Sequence, residues 1–63
     1  MKVPQFDIYE DEAGKYRWRL FAKNNKIIAD SAESYTRAYD AKKAAMLVIN
    51  LAPLAEIVRT VEE

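Results

Sequence analysis

The sequence lacks the two residue types that most often build catalytic and metal centres. Its 63 residues include no histidine and no cysteine. Without cysteine there is no disulfide framework, no thiolate nucleophile and no zinc site that depends on thiolates. Without histidine the commonest general base and metal ligand is missing. Because no pair of the remaining polar side chains is spaced as an acid–base couple, we expect no enzyme activity, no metal site and no cofactor.

Net charge and long hydrophobic runs are also lacking. Ten basic and ten acidic residues cancel, so the chain has no bulk attraction to nucleic acid or to anionic lipid. The longest uncharged run, residues 44–55, is too short to span a bilayer. The N-terminus has no apolar stretch of the kind that a signal peptide requires. These features predict a cytoplasmic protein that does not associate with membranes.

The short chain limits the core that one copy can bury. A single domain over residues 1–63 buries only about 60% of the surface that its unfolded chain exposes. The hydrophobic gain then barely offsets the conformational entropy lost on folding. Since disulfides are excluded and no metal site is evident, oligomerisation is the stabilising device that remains, and we expect a homodimer.

Three alternating segments predict an antiparallel meander over about residues 6–31. The strands are expected at residues 6–10, 15–22 and 26–31, where apolar and polar side chains alternate. Asp11 and Gly14 are typical of the first turn, because aspartate suits its first position and glycine accepts a positive φ. Asn24-Asn25 predicts a two-residue second turn, since both residues tolerate the left-handed region.

The hydrophobic pattern also selects a register. Matching apolar faces pairs Ile8 with Trp18, and it places Asp7 and Asp30 on either side of Arg19 as a charge ladder. The second turn pairs Phe21 with Ile28. This register places Tyr9, Phe21 and Ile28 together on the polar side of the sheet, where they form a candidate partner surface. The dimer or the C-terminal strand covers this surface, or the surface is free to bind a partner.

The second half of the chain predicts one helix and a further strand. Small and branched apolar residues recur at helical spacing over about residues 37–51, with Thr36 or Ser34 as the N-cap. Pro53 ends the helix, because the residue before proline avoids helical dihedrals. The β-branched side chains of Ile57, Val58 and Val61 favour a short strand at about residues 55–61. The predicted fold class is therefore α+β.

Two motifs and the approach to the helix resemble the YegP-like family of small uncharacterised proteins. The matching residues are Phe6-x-Ile8-Tyr9-x-Asp11-x-x-Gly14-x-Tyr16-Arg17-Trp18-Arg19-Leu20, Ala22-x-Asn24-Asn25-x-Ile27-Ile28-Ala29-x-Ser31 and Ser34-Tyr35-Thr36. The resemblance covers about residues 6–53. The family usually has glycine where this chain has Asn25, and Glu-Gly where this chain has Glu33-Ser34. These two departures concern local turn geometry.

The resemblance implies a β3-α-β unit that occurs twice in one chain or in two subunits. The two units share a single sheet and exchange their C-terminal strands. Because this chain contains one unit, the resemblance implies a homodimer with one shared sheet, in which Ile57, Val58 and Val61 belong to the exchanged strand. It implies no activity.

Two functions are compatible with these residues. The first is a non-catalytic interaction or structural module whose partner is a second copy of itself, with any other protein partner unknown. The alternative is a nucleic-acid-binding module, since basic side chains bind phosphates. Strand alternation argues against this alternative, because it separates the aromatic residues Tyr16 and Trp18 from the neighbouring arginines. The basic residues of the alternative are Lys15, Arg17, Lys42 and Lys43.

Overall fold

The computed structural model describes residues 3–61 and confirms an α+β fold with a three-stranded meander followed by one helix. The elements are β1 (Gln5–Glu10), β2 (Tyr16–Phe21), β3 (Ile27–Asp30), α1 (Ala38–Leu51) and a 3-10 turn (Ala52–Leu54). The sheet is antiparallel with the order β1-β2-β3, so β2 is central and both other strands are edges.

The first hairpin has the predicted register. Ile8 lies opposite Trp18, and Asp7 lies opposite Arg19. The turn also forms as its residues indicate: the Gly14 N–H donates to the Asp11 carbonyl at 3.0 Å, and Gly14 has φ 76°. Any register shifted by one residue would turn Ile8 away from the helix, which explains why the apolar pattern identified this pairing.

The predicted second hairpin is wrong in its turn and in part of its register. The loop has three residues, since the Ala22 N–H donates to the Lys26 carbonyl at 2.8 Å. Only Asn25 adopts positive φ, at 71°, whereas a two-residue turn of the predicted type needs it at both central residues. Phe21 consequently lies opposite Ile27, and the register shifts before Leu20 pairs with Ala29. The predicted pairing of Phe21 with Ile28 is absent from this hairpin.

The helix begins one residue later than predicted, and Thr36 and Ser34 do not cap it. Arg37 is the N-cap residue and makes no side-chain capping bond. Its guanidinium instead holds Asp40 in the first turn through two bonds, at 2.9 and 3.0 Å. A carboxylate in the first turn also interacts favourably with the helix dipole. This local ion pair supplies order at the helix start without a hydroxyl cap.

The core lies between the helix and one face of the sheet. Trp18 is 8% exposed and meets Phe6 edge to face, with ring centroids 5.4 Å apart. Ala41 and Ala45 are buried, and their small side chains let the helix approach the sheet closely. The helix contacts β1 and β2 but not β3. Within residues 3–61, no large side chain is fully buried, so the core of one chain is thin.

Ser31 directly follows β3 and is hydrogen-bonded to the backbone of β2. The side chain is 5% exposed, and its Oγ accepts the Trp18 N–H at 3.1 Å. The Ser31 N–H donates in turn to the Trp18 carbonyl at 2.9 Å. A side-chain hydroxyl thus satisfies a buried amide that a regular strand would satisfy with its backbone.

Replacing Ser31 with alanine is expected to destabilise the fold by about 1–3 kcal/mol, because the buried Trp18 amide loses its acceptor. Chemical denaturation measures the free energy of unfolding. The control is Ser34→Ala, which removes an exposed hydroxyl and is expected to change stability by less than about 0.5 kcal/mol. Equal stability of the two variants would contradict this role for Ser31.

Candidate interaction surfaces

The C-terminal segment, residues 55–61, forms no helix or strand within one chain. It begins after the 3-10 turn with extended backbone at Ala55, which has φ −77° and ψ 148°. The three predicted strand residues are highly exposed: Ile57 is 89% exposed, Val58 92% and Val61 82%. A strand requires a neighbour for its hydrogen bonds, and the predicted fourth strand is not formed within the described residues of one chain.

An apolar groove lies on the C-terminal half of the helix, next to this segment. Its volume is about 300 Å³, and its lining is Leu47, Val48, Leu51, Ala52 and Ala55. Leu47, Leu51 and the adjoining Leu54 are all more than half exposed. Ala55 belongs both to the groove lining and to the C-terminal segment, so the exposed apolar side chains of the groove and of the segment follow one another along the chain. Exposed apolar side chains that lie together are a candidate interaction surface.

The sheet face opposite the helix carries a second cluster. The Arg19 guanidinium carbon lies 4.3 Å from the centre of the Tyr9 ring, which is stacking distance for a cation–π contact. Phe21 follows Arg19 by two residues and therefore lies on the same face. Tyr9 and Phe21 are half-buried, and Ile28 is 61% exposed at the register shift. The structure thus places Tyr9 and Phe21 on one face but does not pair Phe21 with Ile28.

The predicted charge ladder has the right register but different contacts. Asp7 and Asp30 lie opposite Arg19, as expected. Within residues 3–61, neither carboxylate forms an ion pair with Arg19, which stacks on Tyr9 instead. The ion pair of this face joins the Arg17 Nε to the Asp11 Oδ2 at 2.8 Å.

Asp11 organises the first turn through several bonds. Its Oδ1 accepts the backbone N–H groups of Ala13 and Lys15 at 2.9 and 3.0 Å, while its Oδ2 accepts Arg17. The Arg17 guanidinium, followed by the Lys15 and Ala13 amides, lowers the pKa of the Asp11 carboxyl below its ordinary value. The turn and the second strand are therefore joined by a carboxylate that has to stay ionised.

This pKa shift predicts acid sensitivity with a definite sign. Because the folded-state pKa lies below the unfolded-state pKa, the Asp11 contribution is complete above the unfolded value and is lost as the pH falls through the folded value. The relevant window is about pH 4 and below. Asp11→Asn is expected to flatten the dependence of the unfolding free energy on pH in that window. Glu12→Gln, an exposed neighbour in the same turn, serves as the control.

The basic residues of the nucleic-acid alternative are not gathered on one surface. Arg17 lies on the sheet face opposite the helix and is paired with Asp11. Lys42 and Lys43 lie on the helix, exposed, and therefore on the other side of the sheet. Lys15 belongs to the first turn and is also exposed. A phosphate backbone could not follow all four along a single groove.

Membrane-spanning helices and metal-binding clusters of side chains are both absent from residues 3–61. No helix in this part of the chain is long and apolar enough to cross a membrane. No group of three or more carboxylates in the same residues is arranged to hold a metal ion.

Sequence reasoning missed three contacts of these surfaces. The Asp11–Arg17 pair crosses the turn over six residues, and the stacking of Arg19 on Tyr9 is diagonal to the directly paired positions. The bond from Trp18 to Ser31 spans thirteen residues. The only available signal was the position of Asp11 and Ser31 at strand ends, where side chains replace backbone partners.

The sequence of this chain is similar to those of known proteins. Residues 11–58 match a family described as a domain of unknown function, DUF1508. A UPF0339 protein of Methanosarcina acetivorans is 43% identical over 56 residues, covering 89% of this chain and 95% of that protein. A UPF0339 protein of Neisseria meningitidis serogroup B is 46% identical over 43 residues, covering 68% of this chain and 75% of that protein.

A solved structure extends the comparison to three dimensions. The solution structure of a protein from Haloferax volcanii superposes with a TM-score of 0.84 at 38% identity, over 95% of this chain and all of that one. The small uncharacterised family that the motifs indicated is thus confirmed, with YegP-like and DUF1508 as consistent names for it. The chain belongs to the DUF1508 family.

Proposed function

We propose that this protein is a non-catalytic interaction module that works as a homodimer, in which the C-terminal segments of two copies are exchanged and complete one shared sheet. The observation that carries the proposal is the exposure of Ile57, Val58 and Val61, each more than four-fifths exposed. The exposed β-branched residues of the C-terminal segment form one half of the proposed interface. The apolar groove on the helix of the other copy forms the second half.

The total exposed surface supports an extensive interface. The folded chain exposes 5562 Å², whereas a compact monomer of 7.3 kDa exposes about 4,200 Å². The excess of about 1,400 Å² exceeds the roughly 800 Å² that each partner contributes to a standard interface. The radius of gyration, 13.3 Å, is likewise larger than the roughly 10.6 Å of a compact chain of this length. Both quantities fit a subunit that becomes compact on assembly.

The described polar groups support a binding role over a catalytic one. Arg17 and Arg37 are engaged by Asp11 and Asp40 in ion pairs that organise a turn and a helix start. The groove on the helix is lined by leucine, valine and alanine side chains, which suit another apolar side chain and include no acid, base or nucleophile.

The proposal is tested by placing charges in the C-terminal segment. The double variant Ile57→Asp/Val58→Asp is used because adjacent strand residues point to opposite faces, so one of them meets the partner whichever face is buried. We expect the dissociation constant of the dimer to rise by about 100-fold or more, since both subunits lose a buried apolar side chain and each is worth about 1.5–3 kcal/mol. Sedimentation velocity over a concentration series measures it.

The matched control adds the same two charges elsewhere. Ser34→Asp/Thr36→Asp alters exposed positions in the connection between β3 and the helix. This control is expected to keep the dissociation constant within about threefold of the unmodified chain. The proposal fails if the two double variants dimerise equally well, or if the unmodified chain is a monomer.

The nucleic-acid alternative has a separate test. A salt titration with mixed single-stranded DNA and RNA distinguishes it, because phosphate contacts make affinity fall steeply with salt. We expect no measurable binding at low salt. Micromolar binding with a steep salt dependence, reduced by Arg17→Gln or by Lys42→Gln/Lys43→Gln, would favour the alternative instead.

A further inference from the structure

We infer that the C-terminal segment of the second copy binds the outer edge of β1 and not the outer edge of β3. This inference rests on the proposed homodimer and identifies the surface that receives the exchanged segment. Either edge of the three-stranded sheet could accept a further strand in principle, because both present backbone groups to solvent.

The two edges differ in length and regularity. β1 has six residues, and its pairing with β2 is continuous from Gln5 to Glu10. β3 has four residues, and its register shifts beside Phe21. Short and bulged edges resist the addition of another strand, since their outward N–H and C=O groups are not evenly spaced. The geometry of the backbone therefore favours β1.

The position of the helix favours the same edge. The helix lies over β1 and β2 and does not contact β3. Since neighbouring strands are about 4.8 Å apart, a strand added beyond β1 is one strand spacing from a strand that the helix covers, whereas a strand added beyond β3 is two spacings from β2. Apolar side chains of a segment bound at β1 therefore lie closer to the helix than those of a segment bound at β3.

The hydrogen bonds within the sheet show which amides point to the free edge of β1. The N–H of Ala22 and the carbonyl of Trp18 are both directed at the β3 side. The backbone N–H and C=O groups of the odd-numbered residues of β2 therefore point toward β1. Their register partners, the odd-numbered residues of β1, point their backbone groups back toward β2. The N–H groups of Phe6 and Ile8 must then point outward from the sheet. On β3 the Asp30 N–H points outward from the sheet, because the backbone groups of its register partner Arg19 point toward β1 and not toward β3.

Amide hydrogen exchange of the unmodified full-length chain tests the inference at these positions. We expect the Phe6 and Ile8 amides to exchange at least about 100-fold more slowly than unstructured amides, because they donate to the partner's segment. The Asp30 amide should exchange at a nearly unprotected rate. The measurement is made on a sample whose sedimentation has established the oligomeric state.

The outcomes separate this inference from the proposed function. A dimer with a protected Asp30 amide and unprotected Phe6 and Ile8 amides would move the interface to β3 and overturn the inference alone. A dimer with no protection at any of the three would overturn it too, since the contact would then be made by side chains. A monomer would overturn the proposed function itself.

A proline pair provides a second test with a matched control. Glu10→Pro and Asp30→Pro each remove one exposed carboxylate and one outward N–H, at β1 and at β3 respectively. We expect Glu10→Pro to raise the dimer dissociation constant at least about tenfold more than Asp30→Pro. A larger rise of the dissociation constant from Asp30→Pro than from Glu10→Pro would overturn the assignment to β1.

Discussion

Deletion of residues 55–63 is expected to abolish cooperative folding at concentrations where the intact chain unfolds in one sharp transition. The truncated chain keeps a core of Trp18, Ala41 and Ala45 and leaves the helix groove uncovered. Below about 70–80 residues a single core rarely supplies more than about 3–5 kcal/mol, so loss of the proposed interface is expected to remove most of the free energy of unfolding. Circular dichroism with thermal and urea denaturation measures the transition.

A peptide added in trans makes this deletion informative even if the truncated chain unfolds. A synthetic peptide of residues 55–61 is expected to restore cooperative unfolding, and a peptide of the same composition in scrambled order should not. Restoration by both peptides, or full stability of the truncated chain alone, would contradict the role given to the C-terminal segment.

Replacement of Trp18 by alanine is the second change with a large expected effect. Trp18 is the only buried large side chain among the described residues, and it packs against Phe6 beneath the helix. Truncating a core tryptophan costs about 3–5 kcal/mol, which approaches the whole stability of a domain of this size. We expect the variant to be largely unfolded as a dilute monomer, and urea denaturation at several protein concentrations measures its stability.

The control for Trp18 is the exposed aromatic residue on the helix. Tyr39 is 61% exposed and lies near Arg37 and Lys43, at 5.8 and 5.7 Å from its ring centre. Tyr39→Ala is expected to change stability by less than about 1 kcal/mol, because its contacts are solvated. A larger loss from Tyr39→Ala than from Trp18→Ala would show that the core has been misplaced.

Much of the fold follows from short-range patterns in the sequence. The alternation around Trp18 determined the register of the first hairpin, because a shift by one residue would expose Ile8. The aspartate and glycine of its turn identified the connection. The spacing of Ala41 and Ala45 located the helix to within one residue. The reason given for its end is wrong, because Ala52 keeps helical dihedrals (φ −56°, ψ −42°) before Pro53 and the chain continues as a 3-10 turn through Leu54.

The details that sequence reasoning could not supply depend on small energy differences. Asn24-Asn25 is compatible with two- and three-residue loops, and the choice between them decides whether Phe21 faces Ile27 or Ile28. Thr36 is a good N-cap residue by propensity, but the N-cap residue is Arg37, which makes no capping bond and pairs with Asp40 in the first turn. Arg19 could reach a carboxylate or the Tyr9 ring, and only the three-dimensional arrangement reveals that it stacks.

The C-terminal segment shows why the candidate site is harder to predict than the fold. Its β-branched residues indicate a strand, yet a strand is defined by a partner that the same chain does not provide. The surface around Tyr9 and Phe21 poses the same difficulty, because aromatic and arginine side chains are common both on open sheet faces and at interfaces. An interaction surface depends on a second molecule. The sequence of one chain indicates such a surface only through the apolar side chains that its own fold leaves exposed.

Sedimentation equilibrium of the intact chain tests the central claim most directly. At about 10 μM the protein is expected to sediment as a single species of twice the 7.3 kDa chain mass, because the proposed strand exchange would bury the exposed side chains of Ile57, Val58 and Val61. A stably folded species with the mass of one chain at that concentration would contradict the account.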